Sequence, residues 1–172
     1  EFGSREAIVA NERVLLLRNP LALLPRAQLD NDISQDFRQL PASKLPGTEE
    51  DSTVYRDRLL GEPVAAIFSS IAPHGYSGKI HLLVGVYTDG SLAGVRIVKH
   101  AETPGLGDAI EIRKSPWIKI FSGKSLHNPS PDRWYVKRDG GDFDQLAGAT
   151  ITPRAVVSAV RNTLLYYQQN AD

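Results

Sequence analysis

Apolar residues change period along the chain, and the changes mark its elements. Ile8, Val14, Leu15, Leu17 and Leu21 recur at roughly helical spacing with arginines and Glu12 between them, so residues 5–30 read as helical, interrupted at Pro20 and Pro25. Residues 41–53 hold Pro41, Pro46, Gly47 and the acidic run Glu49-Glu50-Asp51, a loop by composition. Strand character then takes over. Val54–Leu60 leads through the turn pair Gly61-Glu62 into Pro63–Ser70, and the loop His74–Gly78 leads into Lys79–Tyr87. Asp89-Gly90 is a hairpin signal before a fourth run, Leu92–His100. Four strands in hairpin succession predict an antiparallel sheet and not a doubly wound parallel one.

The second half is less regular. Gly105–Arg113 reads as a short helix ending before Pro116, and Trp117–Phe121 as a further helical turn. Asn128–Arg133 is a proline-rich loop, Trp134–Lys137 a short strand and Asp139–Asp142 a tight turn. The last helix has the clearest signal. Thr152 offers an N-cap hydroxyl and Pro153 suits the first helical position, where its missing N–H costs nothing. Ala155, Val156, Ala159, Val160, Thr163, Leu164 and Tyr167 follow at helical spacing. The expected fold class is α+β: a largely antiparallel sheet with packed helices and a C-terminal helix.

Composition and charge remove several function classes. Twenty basic residues balance twenty acidic ones in the 172-residue chain, so no charge excess points to nucleic acid. The chain has no cysteine, which excludes disulfides, thiolate metal sites and cysteine nucleophiles. His74, His81, His100 and His127 show no metal-ligand spacing. No Walker loop or glycine-rich dinucleotide fingerprint is present. No apolar run approaches the length of a membrane-spanning helix. Glu1-Phe2-Gly3-Ser4 reads as a cloning scar with no initiator methionine, so the expectation is a piece cut from something longer, with a membrane anchor upstream left open. Residues 5–50 then form an N-terminal helical or connector segment, either joining that anchor to the body or packing as a peripheral helix.

Two segments carry candidate chemistry. Asp144–Thr152 places the small residues Gly148 and Ala149 and the hydroxyl of Thr150 directly before a helix. Free amides and the positive end of a helix dipole favour a phosphate at such an entry; an ordinary capped helix start explains the same residues. Glu102-Thr103-Pro104-Gly105-Leu106-Gly107 follows a strand, and its two glycines permit close backbone approach to a flat ligand or simply make a turn. Trp117, Trp134, Tyr76 and Tyr135 can stack on a ring or fill a core. Lys137 and Arg154 can meet a phosphate or stand solvated.

Together the two segments resemble the FMN-binding domain shared by the G subunit of the Rnf electron-transport complex and the C subunit of the sodium-pumping NADH:quinone oxidoreductase. Asp144-Gln145-Leu146-Ala147-Gly148-Ala149-Thr150 follows that family's acceptor pattern, and Glu102–Gly107 matches its second motif in full. Ala147 departs from it, standing where threonine or serine is common. Ala72–Gly78, Leu82–Gly85, Val136–Asp144 and Thr150–Val157 are similar to the Rnf G subunit in particular. The resemblance implies an FMN-binding domain over residues 51–172. It implies FMN joined through its phosphate to Thr150, a bond made from FAD and magnesium by a flavin transferase. Asp144 would serve that transfer. Gly148, Ala149, Glu102, Thr103, Gly105, Leu106, Gly107, Trp117 and Lys137 would line the cofactor. It further implies electron relay between ferredoxin and NAD within an ion-pumping complex of the bacterial inner membrane. The implied partners are the other Rnf subunits, and the soluble part would face the periplasm. The rival readings are a free-standing flavin reductase and a cofactor-less binding module of the same fold.

Overall fold

A computed structural model describes residues 2–18, 32–41 and 52–170. Helix α1 spans Phe2–Arg18. Five strands follow: β1 Phe37–Leu40, β2 Ser52–Leu59, β3 Glu62–Gly75, β4 Gly78–Tyr87 and β5 Leu92–Lys99. They form one sheet in the order β1-β2-β3-β4-β5, every neighbouring pair antiparallel. Helix α2, Ile151–Gln169, closes the described chain. The expected α+β architecture is therefore what the chain adopts.

Sequential hairpins dictate that order. Gly90 at φ +88 turns β4 into β5, as the Asp89-Gly90 signal predicts. The turn before β3 sits one residue earlier than expected, on Leu60 at φ +54 and Gly61 at φ +81, and Glu62 already belongs to the strand. The His74–Gly78 loop is tighter than composition suggests: β3 runs to Gly75, β4 starts at Gly78, and Tyr76-Ser77 alone form the tip.

Alternation along the strands divides the core between two faces. Phe68, Leu82, Val84 and Val95 face Val156, Val160 and Leu164 of α2. Full burial of each such side chain contributes on the order of 1.5–3 kcal/mol. Ile67, Leu83 and Ala93 point the other way and join Leu16 of α1 and Ile33. Glu12 of α1 is 5% exposed and accepts hydrogen bonds from the Tyr55 hydroxyl at 2.9 Å and the Ser69 hydroxyl at 3.2 Å. Burial raises its pKa above the usual carboxylate value; the two hydroxyl bonds offset only part of that. The expected helical continuation past Arg18, with Pro20, Leu21 and Pro25, lies outside the described residues, as do 42–51.

After β5 the helical turn expected at Trp117–Phe121 is present as a 3-10 helix, but the helix expected over Gly105–Arg113 shrinks to one 3-10 turn and the strand expected at Trp134–Lys137 is missing. Gly107–Ile110 and Pro116–Phe121 are 3-10 turns. Trp134–Lys137 is no strand; Val136 meets Phe143 in a single bridge and Lys137–Asp139 turn back. These residues pack by their rings and not through a ladder of strand hydrogen bonds. Trp134 and Phe143 have centroids 4.5 Å apart, and Phe121 lies 5.3 Å from Phe143.

Candidate functional site

The two motif segments, distant in sequence, meet at the start of α2. Glu102 is 4% exposed at the end of the stretch leaving β5. Its carboxylate accepts from the backbone N–H of Tyr76 and of Ser77, both at 2.9 Å, and from the Thr152 hydroxyl at 2.5 Å. One side chain thus ties the β3–β4 tip, the post-β5 loop and α2 together. Three donors satisfy a charge that would otherwise be costly to bury.

The backbone around Glu102 is fixed as closely. Its N–H donates to His100 Nδ1 at 3.0 Å, and His100 Nε2 meets Glu111 at 2.7 Å. Nδ1 thus accepts from the Glu102 amide, and the other ring nitrogen is left to meet the Glu111 carboxylate. Asp108 accepts from the Gly105 N–H at 3.0 Å and from Lys114 Nζ at 2.6 Å. The Lys114 ammonium holds the Asp108 carboxyl below the usual carboxylate range.

Thr152 departs from its expected role. The helix begins two residues earlier: Thr150 is the N-cap residue, and Thr152 lies inside α2 with 1% exposure. A hydroxyl at that depth serves Glu102 better than it serves the helix end. The Thr150 side chain makes no capping hydrogen bond and is half-buried. Of two neighbouring hydroxyls, one is bound inside the protein and the other stands at the rim.

The glycines show why the segments can approach. A Cβ on Gly107 would lie 2.7 Å from Thr152 Oγ1 and 3.1 Å from the Glu102 Cβ. The close approach foreseen for Gly107 is therefore to the protein itself. Gly148, at φ +73, has Leu106 Cδ2 3.0 Å from the place a Cβ would take. Leu106 is 43% exposed and leaves apolar surface uncovered beside Gly148. Thr103 and Gly105 shape the loop, whose Leu106 and Asp108 amides both return to the Thr103 carbonyl.

Trp117 and Lys137 both reach Asp144, by different means. The Trp117 indole is 6% exposed, packs edge-on to Phe121 at 5.6 Å and donates Nε1–H to the Asp144 carbonyl at 2.8 Å. Trp134 is fully buried. Lys137 Nζ pairs with the Asp144 side chain at 2.6 Å, both mostly exposed, and that hydrogen bond raises the lysine's pKa. Arg154 grips Asp139 through two bonds, 2.6 and 2.9 Å, and is so tied to the neighbouring turn. Ala149 closes its turn with an N–H to the Leu146 carbonyl at 3.1 Å. Among the described residues no cluster of histidine and acidic side chains suits a metal.

Small residues, a left-handed glycine, an uncommitted hydroxyl and a helix N-terminus are what a phosphate-linked cofactor needs. The family model of the FMN-binding domain matches residues 75–165, which contain every one of these. The chain is 46% identical over 171 residues to the G subunit of the ion-translocating oxidoreductase complex of Pseudoalteromonas atlantica, covering 99% of this chain and 80% of that one. It belongs to the family of these G subunits. The G subunit of Pseudomonas aeruginosa is 51% identical over 152 residues, covering 88% of this chain and 71% of its own. That of Vibrio atlanticus is 42% identical over 169 residues, covering 98% and 80%. Membership fits the residues present. The Glu102–Gly107 and Asp144–Thr150 segments lie in contact, Leu106 against Gly148, at the helix entry where the Thr150 side chain makes no capping hydrogen bond.

Proposed function

We propose that Thr150 carries FMN through a phosphoester and that the chain relays electrons within a membrane-bound ion-translocating oxidoreductase complex. The observation that carries the reading is the division of labour between the two hydroxyls: Thr152 donates to buried Glu102, while Thr150 makes no capping bond at the same helix entry. The amides of the first turn have no helical carbonyl to bond and suit the phosphate's remaining oxygens. In the attachment step the Thr150 oxygen replaces AMP on the FMN-side phosphorus of FAD, and the hydroxyl proton leaves with it. Asp144, 61% exposed on its side chain, offers the transferase a carboxylate near the acceptor. Once bound, the isoalloxazine ring supplies the electron chemistry.

The protein's own part is to hold that ring still. Glu102 binds two backbone amides of the β3–β4 tip and the Thr152 side chain of α2, Trp117 fixes Asp144, and Leu106 gives an apolar edge next to Gly148. The proposed setting is the inner membrane, with the folded body on the periplasmic side and the other components of the complex as partners. Among the described residues no helix is long and apolar enough to cross a membrane.

Co-expression with an active flavin transferase tests the linkage. Intact mass and fluorescence of the denatured protein should show a bound flavin that Thr150→Val abolishes and Thr152→Val keeps. Flavin retained in Thr150→Val would overturn the assignment. NADH oxidation by the isolated loaded chain would favour a free-standing reductase. A colourless wild-type protein would favour the cofactor-less module.

A further inference from the structure

We infer that Tyr76 provides the aromatic contact for the tethered flavin ring and that Glu102 is the positioning residue that sets it there. The inference rests on the reading of Thr150 as the flavin carrier.

Of the four aromatic residues able to stack on a ring, Trp117 and Trp134 are committed to the core. Tyr135 is 41% exposed, but its ring lies under the Arg161 guanidinium at 4.7 Å. Tyr76 is 67% exposed, on the Tyr76-Ser77 tip between β3 and β4. An exposed tyrosine at a hairpin tip is ordinary, but this tip is held unusually firmly. Both of its amides donate to one buried carboxylate. The Tyr76 N–H and the Thr152 hydroxyl bond the same oxygen, Oε1 of Glu102. The tip is thereby locked beside the first turn of α2, two residues from Thr150.

The setting supplies what a flat aromatic cofactor wants. Leu106 at 43% exposure and Ile151 at 44% lie against or beside the Gly148–Thr150 turn, leaving apolar surface uncovered around one attachment point. A tethered ring can cover that surface without losing translational freedom again, since the covalent bond has already fixed its position. Offset stacking on a tyrosine adds on the order of the energy of an aromatic pair.

The readout is native flavin fluorescence, with chain and transferase co-expressed and loading checked by intact mass. A phenol touching the excited isoalloxazine ring gives it an electron and takes the electron back without light emission. A phenyl ring stacks equally well and cannot do so. Tyr76→Phe should therefore raise native emission several-fold at unchanged loading, and Tyr135→Phe should not. Glu102→Gln, which turns an N–H toward one of the three donors, should free the tip and lengthen the native emission lifetime while the flavin stays attached. Equal emission from wild type and Tyr76→Phe, both loaded, would overturn the inference and leave the Thr150 reading intact. Absence of flavin from the co-expressed wild type would overturn both. If Tyr76→Phe brightens the flavin and Glu102→Gln leaves the lifetime unchanged, the positioning role is wrong.

Discussion

Glu102 and Thr152 stand 50 residues apart and share a 2.5 Å hydrogen bond in the interior. That bond joins the loop after β5 to the helix carrying the proposed attachment point. Thr152→Val keeps the shape and removes the donor. Leaving a buried carboxylate short of one partner costs roughly 1–3 kcal/mol. Urea unfolding should show a loss in that range, and Thr152→Ser should recover most of it. Equal stability of the valine variant and wild type would show that the bond contributes nothing.

Glycine substitutions should rank by what the new Cβ meets. At Gly141 it would overlap the Tyr135 carbonyl, a backbone group that cannot swing aside. Gly141→Ala should cost at least the roughly 3 kcal/mol upper end of overpacking. Gly107→Ala meets a side chain at 2.7 Å and should cost about 1–3 kcal/mol, with reduced flavin attachment. Gly61→Ala has nothing within 4 Å and carries only the conformational cost of φ +81, about 1–2 kcal/mol. A Gly141→Ala loss no larger than that of Gly61→Ala would refute the packing described.

Asp144 is held twice, and the two holds should differ. The Trp117 bond goes to its backbone from a buried indole, whereas the Lys137 pair is between exposed side chains. Trp117→Phe should cost about 0.5–1.5 kcal/mol for the hydrogen bond, beyond any packing change, and slow flavin attachment. Lys137→Ala should leave stability close to wild type, since solvent screens a pair of exposed side chains. Timed flavin incorporation with purified transferase, beside urea unfolding, checks both. A larger stability loss in Lys137→Ala than in Trp117→Phe would reverse the assignment.

The sheet was legible because its turns are local: Asp89-Gly90 needs only its own residues to turn β4 into β5. Strand β1, Phe37–Leu40, was not, since four residues carry too little alternation and their pairing with Ser52–Tyr55 is non-local. The start of α2 was misread by two residues. Thr150 and Thr152 are equally good capping types, and only the burial of Glu102 decides which hydroxyl is drawn inward. Trp134–Lys137 looked like a strand because ring packing and strand pairing favour the same residue types. The site motifs were legible as a pair; that Gly107 packs on Thr152 and Leu106 on Gly148 required the fold.

Acid should act on stability through groups whose signs differ. Asp108 lies below its ordinary value of 3.8 chiefly through Lys114, and Asp139 chiefly through Arg154. Each binds protons less readily folded than unfolded. Their stabilisation is therefore complete above about 3.8 and is lost as pH falls through the depressed folded values. Glu12 is opposite: burial, the largest influence, lifts it above 4.5. The folded state favours its proton, so its contribution is present below 4.5 and lost as pH rises through the raised value. Asp108→Asn should thus be less stable than wild type near neutrality and converge with it in strong acid. Glu12→Gln should hold or gain stability near neutrality, because the Ser69 hydroxyl can turn to accept from the new amide, and lose that advantage in acid. Urea midpoints from about pH 1.5 to about pH 8 check both, and an Asp108→Asn deficit that stays undiminished down to the acid end would remove the ionic explanation.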